Sequence, residues 1–132
     1  MSIVLDASVA ASFILPDEQD DISKKVRTII VLHGALAPTI FWYEMRNILL
    51  ANERRGRIDA ATADRALRYI GALPIALRDV ESGDVIGLAR THRLSAYDAA
   101  YLALARQERV PLLTYDKSLA TAATLEGVPT DA

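Results

Sequence analysis

Ile3-Val4-Leu5-Asp6-Ala7-Ser8 is the stretch on which the reading of this chain turns. Three consecutive apolar residues, two of them β-branched, predict a short strand buried on both faces. The run ends on an acid, and a helix from Ser8 to Leu15 is expected next, stopped by Pro16. The pattern returns near the other end. Val110-Pro111-Leu112-Leu113-Thr114 predicts another strand, again followed by an aspartate, Asp116, and by a helix from about Lys117 to Glu126.

Between these two units the chain alternates helix and strand. Acids at Asp17–Asp21 open a helix that carries Lys24, Lys25 and Arg27 further on, an order that complements the helix dipole. Gly34 ends it. Ala35-Leu36-Ala37 predicts a weak strand before Pro38. Thr39 is expected to cap a long helix reaching about Arg55 and closed by Gly56, and Asp59 to cap the next one. Ile75-Ala76-Leu77 suggests a strand, with a helix beginning near Ser82 and another from Tyr97 to about Glu108. Val128 is placed in a short edge strand. Such alternation predicts an α/β domain with a parallel sheet and helices on both faces. In these sheets ligands gather at the carboxyl ends of the strands, where Asp6 and Asp116 both fall.

The 132 residues fit one domain, 1–132, and 52% apolar content is ample for a core. There is no cysteine, which excludes thiolate metal sites, thiol nucleophiles and disulfides and suits a reducing, cytoplasmic setting. No targeting segment is apparent. The richest apolar region, Ile29 to Tyr43, is broken by His33, Gly34 and Pro38, so no membrane span is expected. The formal charge is −2, which argues mildly against a generic nucleic-acid binder. The distribution is uneven. Residues 1–23 hold five acids and no Lys or Arg, while the stretch from Arg46 to Arg93 is rich in arginine, a residue suited to phosphate. Solvated helix faces with local ion pairs explain those arginines equally well.

Four acids stand out. Asp6 and Asp116 follow strands, where an aspartate commonly caps the next helix. Asp98 closes Ser95-Ala96-Tyr97-Asp98, which has the form of a capping box. Glu44 resists that kind of explanation. It lies in Thr39-Ile-Phe-Trp-Tyr-Glu-Met-Arg-Asn-Ile-Leu-Leu-Ala51, a helix with few polar residues, and a carboxylate amid so much apolar surface needs a partner. Arg46 points elsewhere on the helix, whereas Asn47 lies one turn on and is the expected partner. Ser8 and Thr114 offer hydroxyls near Asp6 and Asp116, with helix capping and strand packing as their plainer roles. His33 and His92 sit in no acid-rich motif and are expected at the surface.

Jointly the four acids suggest carboxylates converging above the sheet. Clustered carboxylates repel and take up protons unless cations neutralise them. An all-oxygen donor set favours Mg²⁺ or Mn²⁺, and phosphodiester hydrolysis is the natural chemistry for such a site.

At this point a resemblance becomes legible. Ile3 to Val9, Trp42 to Leu49, Tyr97 to Ala105 and Leu112 to Leu119 resemble the motifs of PIN domains, in the family's order and across the whole chain. Length and closing segment look like the VapC toxins of prokaryotic toxin–antitoxin pairs. The resemblance implies a PIN-like three-layer α/β fold with a parallel sheet of about five strands. It implies a Mg²⁺- or Mn²⁺-dependent endoribonuclease, with Asp6, Glu44, Asp98 and Asp116 matching the acidic quartet. Asp6 and Asp98 match the positions most directly tied to the metal. It further implies a homodimer, restrained by a cognate VapB-type antitoxin lying across the active-site groove, with DNA bound only indirectly through that antitoxin. A catalytically silent PIN-like module that binds RNA or protein is the alternative. A haloacid-dehalogenase-type phosphatase also starts with a strand and an aspartate, but normally carries a second acid where Ser8 stands.

Overall fold

In the computed structural model, which describes residues 2–15 and 21–132, four parallel strands form one sheet. The elements are β1 (Ile3–Leu5), α1 (Ala7–Ser12), α2 (Asp21–His33), β2 (Ala35–Pro38), α3 (Phe41–Arg54), α4 (Ala60–Gly71), β3 (Ile75–Arg78), α5 (Ser82–His92), α6 (Ala96–Glu108), β4 (Leu112–Leu113) and α7 (Lys117–Leu125). The sheet order is β3-β2-β1-β4. Helices flank it to give a three-layer α/β fold, as the alternation predicted. Pro16 and the acids Asp17, Glu18 and Asp20, which were to end one helix and open the next, lie outside the described residues.

β1 is central. It pairs with β2 through Ile3–Ala35 and Val4–Leu36, and with β4 through Val4–Leu112 and Leu5–Leu113. Ile3, Val4 and Leu5 are fully buried, each contributing about 1.5–3 kcal/mol by leaving water. Buried neighbours on both faces account for an apolar run without alternation. α6 packs against β1, β2 and β4, and its positions 101–105 are all buried, so it is an interior helix rather than a one-sided one. No helix among the described residues is long and apolar enough to cross a membrane.

Three expectations need correction. The sheet has four strands among the described residues, not about five, and Val128 lies in no strand. Val128 is buried, and the Leu112 N–H donates to the Pro129 carbonyl at 2.9 Å, but Pro129 has no N–H with which to extend a ladder. Thr39 does not cap α3. Ile40 occupies that position, in a helical conformation and without a side-chain cap. Asp59 does cap α4, accepting from the Thr62 N–H at 2.7 Å. Gly34 terminates α2 at φ 76°, where a Cβ would also stand 3.3 Å from the Pro74 carbonyl.

The order of strands positions the site. The chain runs outward from β1 to β2 to β3, then returns to lay β4 on β1's other side. The direction of winding therefore changes between β1 and β4, where the sheet opens a crevice at its carboxyl edge. Asp6 and Asp116 leave the sheet on the two sides of that crevice.

Candidate active site

Asp6 stands at the first turn of α1 in extended backbone (φ −75°, ψ 146°), yet its side chain makes no capping bond. Its Oδ2 instead accepts from Ser8 Oγ at 2.9 Å and from Thr114 Oγ1 at 2.6 Å. Each hydroxyl is aimed by a backbone amide. Ser8 Oγ accepts from the Tyr115 N–H at 3.2 Å, and Thr114 Oγ1 from the Asp116 N–H at 3.0 Å. With its acceptor lone pair so occupied, each hydroxyl turns its one proton to Asp6. The network gives Asp6 Oδ2 two donors and ties α1 to the end of β4. Asp6 is 6% exposed. Capping by Ser8 and strand packing by Thr114 are therefore not their roles here.

Glu44 projects from the first turn of α3. Its partner is not Asn47. Tyr101, from the buried helix α6, donates its hydroxyl to Glu44 Oε1 at 2.6 Å. Burial raises the Glu44 pKa above its ordinary 4.5; the Tyr101 bond opposes that shift, and the charges of Asp6 and Asp98 add to it. Burial, with the neighbouring Glu44, drives the Tyr101 phenol far above its ordinary range, so it stays a neutral donor.

Asp98 lies in the first turn of α6, where its N–H donates to Ser95 Oγ at 3.1 Å. The capping reading of this motif is thus correct for the Ser95 side chain. The Asp98 carboxyl is raised above its ordinary 3.8 by burial, then by the charges of Asp116 and Asp6, with Ser95 pulling the other way. Asp116 does cap α7, its Oδ1 accepting from the Leu119 N–H at 2.9 Å. The four acids therefore lie within electrostatic reach of one another, with Asp98 the one that feels or is felt by all three others. Among the described residues, however, no three acidic or histidine side chains converge as a ready-made metal cage.

The positive groups are arranged differently from the simple arginine-rich stretch. Arg54 lies ten residues beyond Glu44, about 15 Å along the helix, so it and its neighbours Arg55 and Arg57 stand apart from the acids. Arg93 and Lys117, with Ser118 and Thr121, line a groove of about 450 Å³, and Lys117 is the residue after Asp116. His92 is not a free surface residue. Its Nε2 lies 2.6 Å from Glu126 Oε2, and Arg106 reaches the same carboxylate at 3.4 Å.

Residues 3–125 match the family of PIN domains. Ribonuclease VapC3 of Pyrobaculum aerophilum is 32% identical over 125 residues, covering 91% of this chain and 93% of the relative. The chain belongs to the VapC branch of the PIN-domain family. Exonuclease VapC9 of the same organism is 30% identical over 116 residues, covering 88% of this VapC-type chain and 81% of the relative. The crystal structure of PAE2754 from Pyrobaculum aerophilum is similar with a TM-score of 0.73, covering 92% of this chain and 84% of that one. At 22% identity that likeness speaks for the fold alone.

In this VapC-type domain one contributor, Tyr101, escaped the sequence reading, because it sits in an apolar run with no polar neighbour to mark it. Ser8 and Thr114 were seen as hydroxyls near the acids, but their shared acceptor is decided by strand order. The donors of the site are all oxygen, a set whose chemistry matches a hard divalent cation, and burial followed by neighbouring negative charge raises two of its carboxyls.

Proposed function

We propose that this chain, as one domain, is a metal-dependent endoribonuclease and the toxin of a VapBC-type pair, hydrolysing RNA phosphodiester bonds. The observation that carries the reading is the clamp on Asp6 at the carboxyl edge of the sheet, where Ser8 and Thr114 both donate to its Oδ2. Family membership supports it. Asp6 and Asp98 would hold Mg²⁺ or Mn²⁺, with Glu44 and Asp116 completing the site. Bound there, such an ion would polarise the phosphate and lower the pKa of a coordinated water. Ser8 and Thr114 fix the Asp6 carboxyl group through its Oδ2. Tyr101 fixes one oxygen of Glu44, and the raised Glu44 pKa suits it to accept a proton from water near the scissile phosphate. Arg93 and Lys117 offer a positive path for the RNA backbone beside an otherwise acidic site. Homodimerisation and a VapB-type antitoxin over the groove belong to the same proposal.

A second reading rests on Asp116, whose Oδ1 is engaged as a helix cap, and on the acids not forming a closed cage. Those features favour a silent binding module. One assay separates the two. Purified protein is incubated with structured, linear and circular RNA, with Mn²⁺ or with chelator, beside Asp6→Asn and Asp98→Asn. Metal-dependent cleavage of circular RNA, lost in both variants, is the expected result. Cleavage of linear RNA alone would replace the endonuclease by an exonuclease. Cleavage indifferent to chelator and to both substitutions would overturn the mechanism, and none in any RNA would favour the binding module.

A further inference from the structure

One cavity beside Glu44 has a chemistry that the carboxylate site does not use. It measures about 340 Å³ and is lined by Ile40, Tyr43, Glu44, Asn47 and Tyr97. We propose that it is a nucleobase subsite, holding one unpaired base of the RNA next to the phosphate being cleaved; the proposal rests on the ribonuclease reading above.

The lining is that of a base-binding pocket. Tyr43 from α3 and Tyr97 from α6 are 67% and 60% exposed, in contrast to the wholly buried Tyr101 one turn beyond Tyr97. Two aromatic rings on adjacent helices offer stacking surface, which favours any base. Ile40 supplies apolar surface between them. The Asn47 amide carries both donors and an acceptor, the equipment for reading a base edge. Asn47 is exposed at the cavity because Tyr101, not Asn47, serves Glu44. The Arg46 guanidinium lies 5.4 Å from the Tyr43 ring centroid, a cation–π contact that steadies that ring.

Position completes the argument. Glu44 belongs both to this cavity and to the acidic cluster, so a base seated here brings its own phosphate to the acids. The sheet order β2-β1-β4 sets the Glu44 side and the Asp116 side on opposite flanks of Asp6, and the Arg93–Lys117 groove is lined by α7, the helix that Asp116 caps. An RNA strand thus crosses the carboxyl edge with a base in the tyrosine cavity and its continuing backbone along the groove. A base within a duplex is stacked on its neighbours and cannot enter, so the subsite selects single-stranded segments and loops.

The test uses Tyr97→Ala, Tyr43→Ala, Asn47→Ala and Tyr97→Phe in the full chain. Steady-state cleavage of a labelled single-stranded oligoribonucleotide is measured with Mn²⁺, and binding of the same oligonucleotide by fluorescence anisotropy with chelator. A second oligonucleotide series carries one abasic position at each site flanking the scissile bond. Expected is a rise in KM of roughly tenfold for each tyrosine-to-alanine change, with a smaller effect on kcat, and near wild-type KM for Tyr97→Phe. One abasic position weakens wild-type binding to a similar degree and adds nothing to Tyr97→Ala. Unchanged KM in both alanine variants, or the same abasic penalty in wild type and Tyr97→Ala, would overturn the subsite. Equal cleavage of duplex and single strand would do the same. If the wild type cleaves no RNA, the ribonuclease reading falls, while the anisotropy series still decides whether a base occupies the cavity.

Discussion

Asp6 is a helix-start residue whose side chain has been diverted from capping. Two hydroxyls, each accepting from a backbone amide, donate to its Oδ2. Glu44 and Asp98 are balanced differently, since burial and neighbouring charge make both ionise less readily in the folded chain than in an unfolded one. A carboxyl whose folded pKa is raised contributes its stability below its ordinary pKa and loses that contribution as pH climbs through the raised value. The stability that these two groups contribute to the metal-free protein should therefore fall on going from about pH 4 towards neutrality, while Asp59, whose pKa is lowered by its bonds to Thr62, contributes in the opposite sense. Glu44→Gln with Asp98→Asn should remove that slope and stabilise the metal-free fold near neutral pH by about 0.5–2 kcal/mol, as relief of an active-site strain commonly does. Urea titrations with chelator across this range measure it. An unchanged slope in the double variant would show that these two groups do not bear the repulsion.

At the scale of elements, three of the four acids come from the beginnings of helices that follow strands, while Asp98 opens α6, which follows α5. β1 delivers Asp6 to α1, β2 delivers Glu44 through a short turn to α3, and β4 delivers Asp116 to α7. Asp116 carries two loads, a cap on α7 and a charge felt by Asp98. Substitution can separate them. Asn caps a helix about as well as Asp, whereas Ala does not. Asp116→Asn should keep the stability of the wild type, and Asp116→Ala should cost about 1 kcal/mol by chemical denaturation. Both should lose most cleavage activity if the charge is needed. Full activity in Asp116→Asn would leave Asp116 a cap and nothing more.

Across the whole molecule, cohesion of the site depends on strands far apart in sequence. Thr114 reaches Asp6 over 108 positions, and Tyr101 reaches Glu44 over 57. A cation binding the assembled acids would stabilise only the folded chain, by about 2.7 kcal/mol at a hundredfold excess over its Kd. Mn²⁺ should accordingly raise the Tm of the wild type in a concentration-dependent way, and Asp6→Asn should respond far less. A shift of equal size in that variant would place the ion elsewhere.

The sequence by itself determined the alternation of strand and helix, because double-sided burial of Ile3-Val4-Leu5 and the caps at Asp59 and Ser95 are local facts written in neighbouring residues. It also marked Asp6, Glu44, Asp98 and Asp116, since acids at strand ends and a carboxylate in an apolar helix are visible without coordinates. The motif order pointed to the PIN family before any strand was paired. Only the tertiary structure decided what those acids touch. Val128 failed to make a strand because Pro129 lacks the N–H for a ladder. Thr39 gave up its cap because α3 begins later. Glu44 turned to Tyr101 rather than Asn47 because α6 runs through the interior, and that exchange is what leaves Asn47 at the tyrosine cavity. Asp6, met first as the end of an apolar run, owes its clamp to β4 lying beside β1. Hydrogen bonds between residues a hundred positions apart depend on strand order, and strand order is a property of the whole packed core.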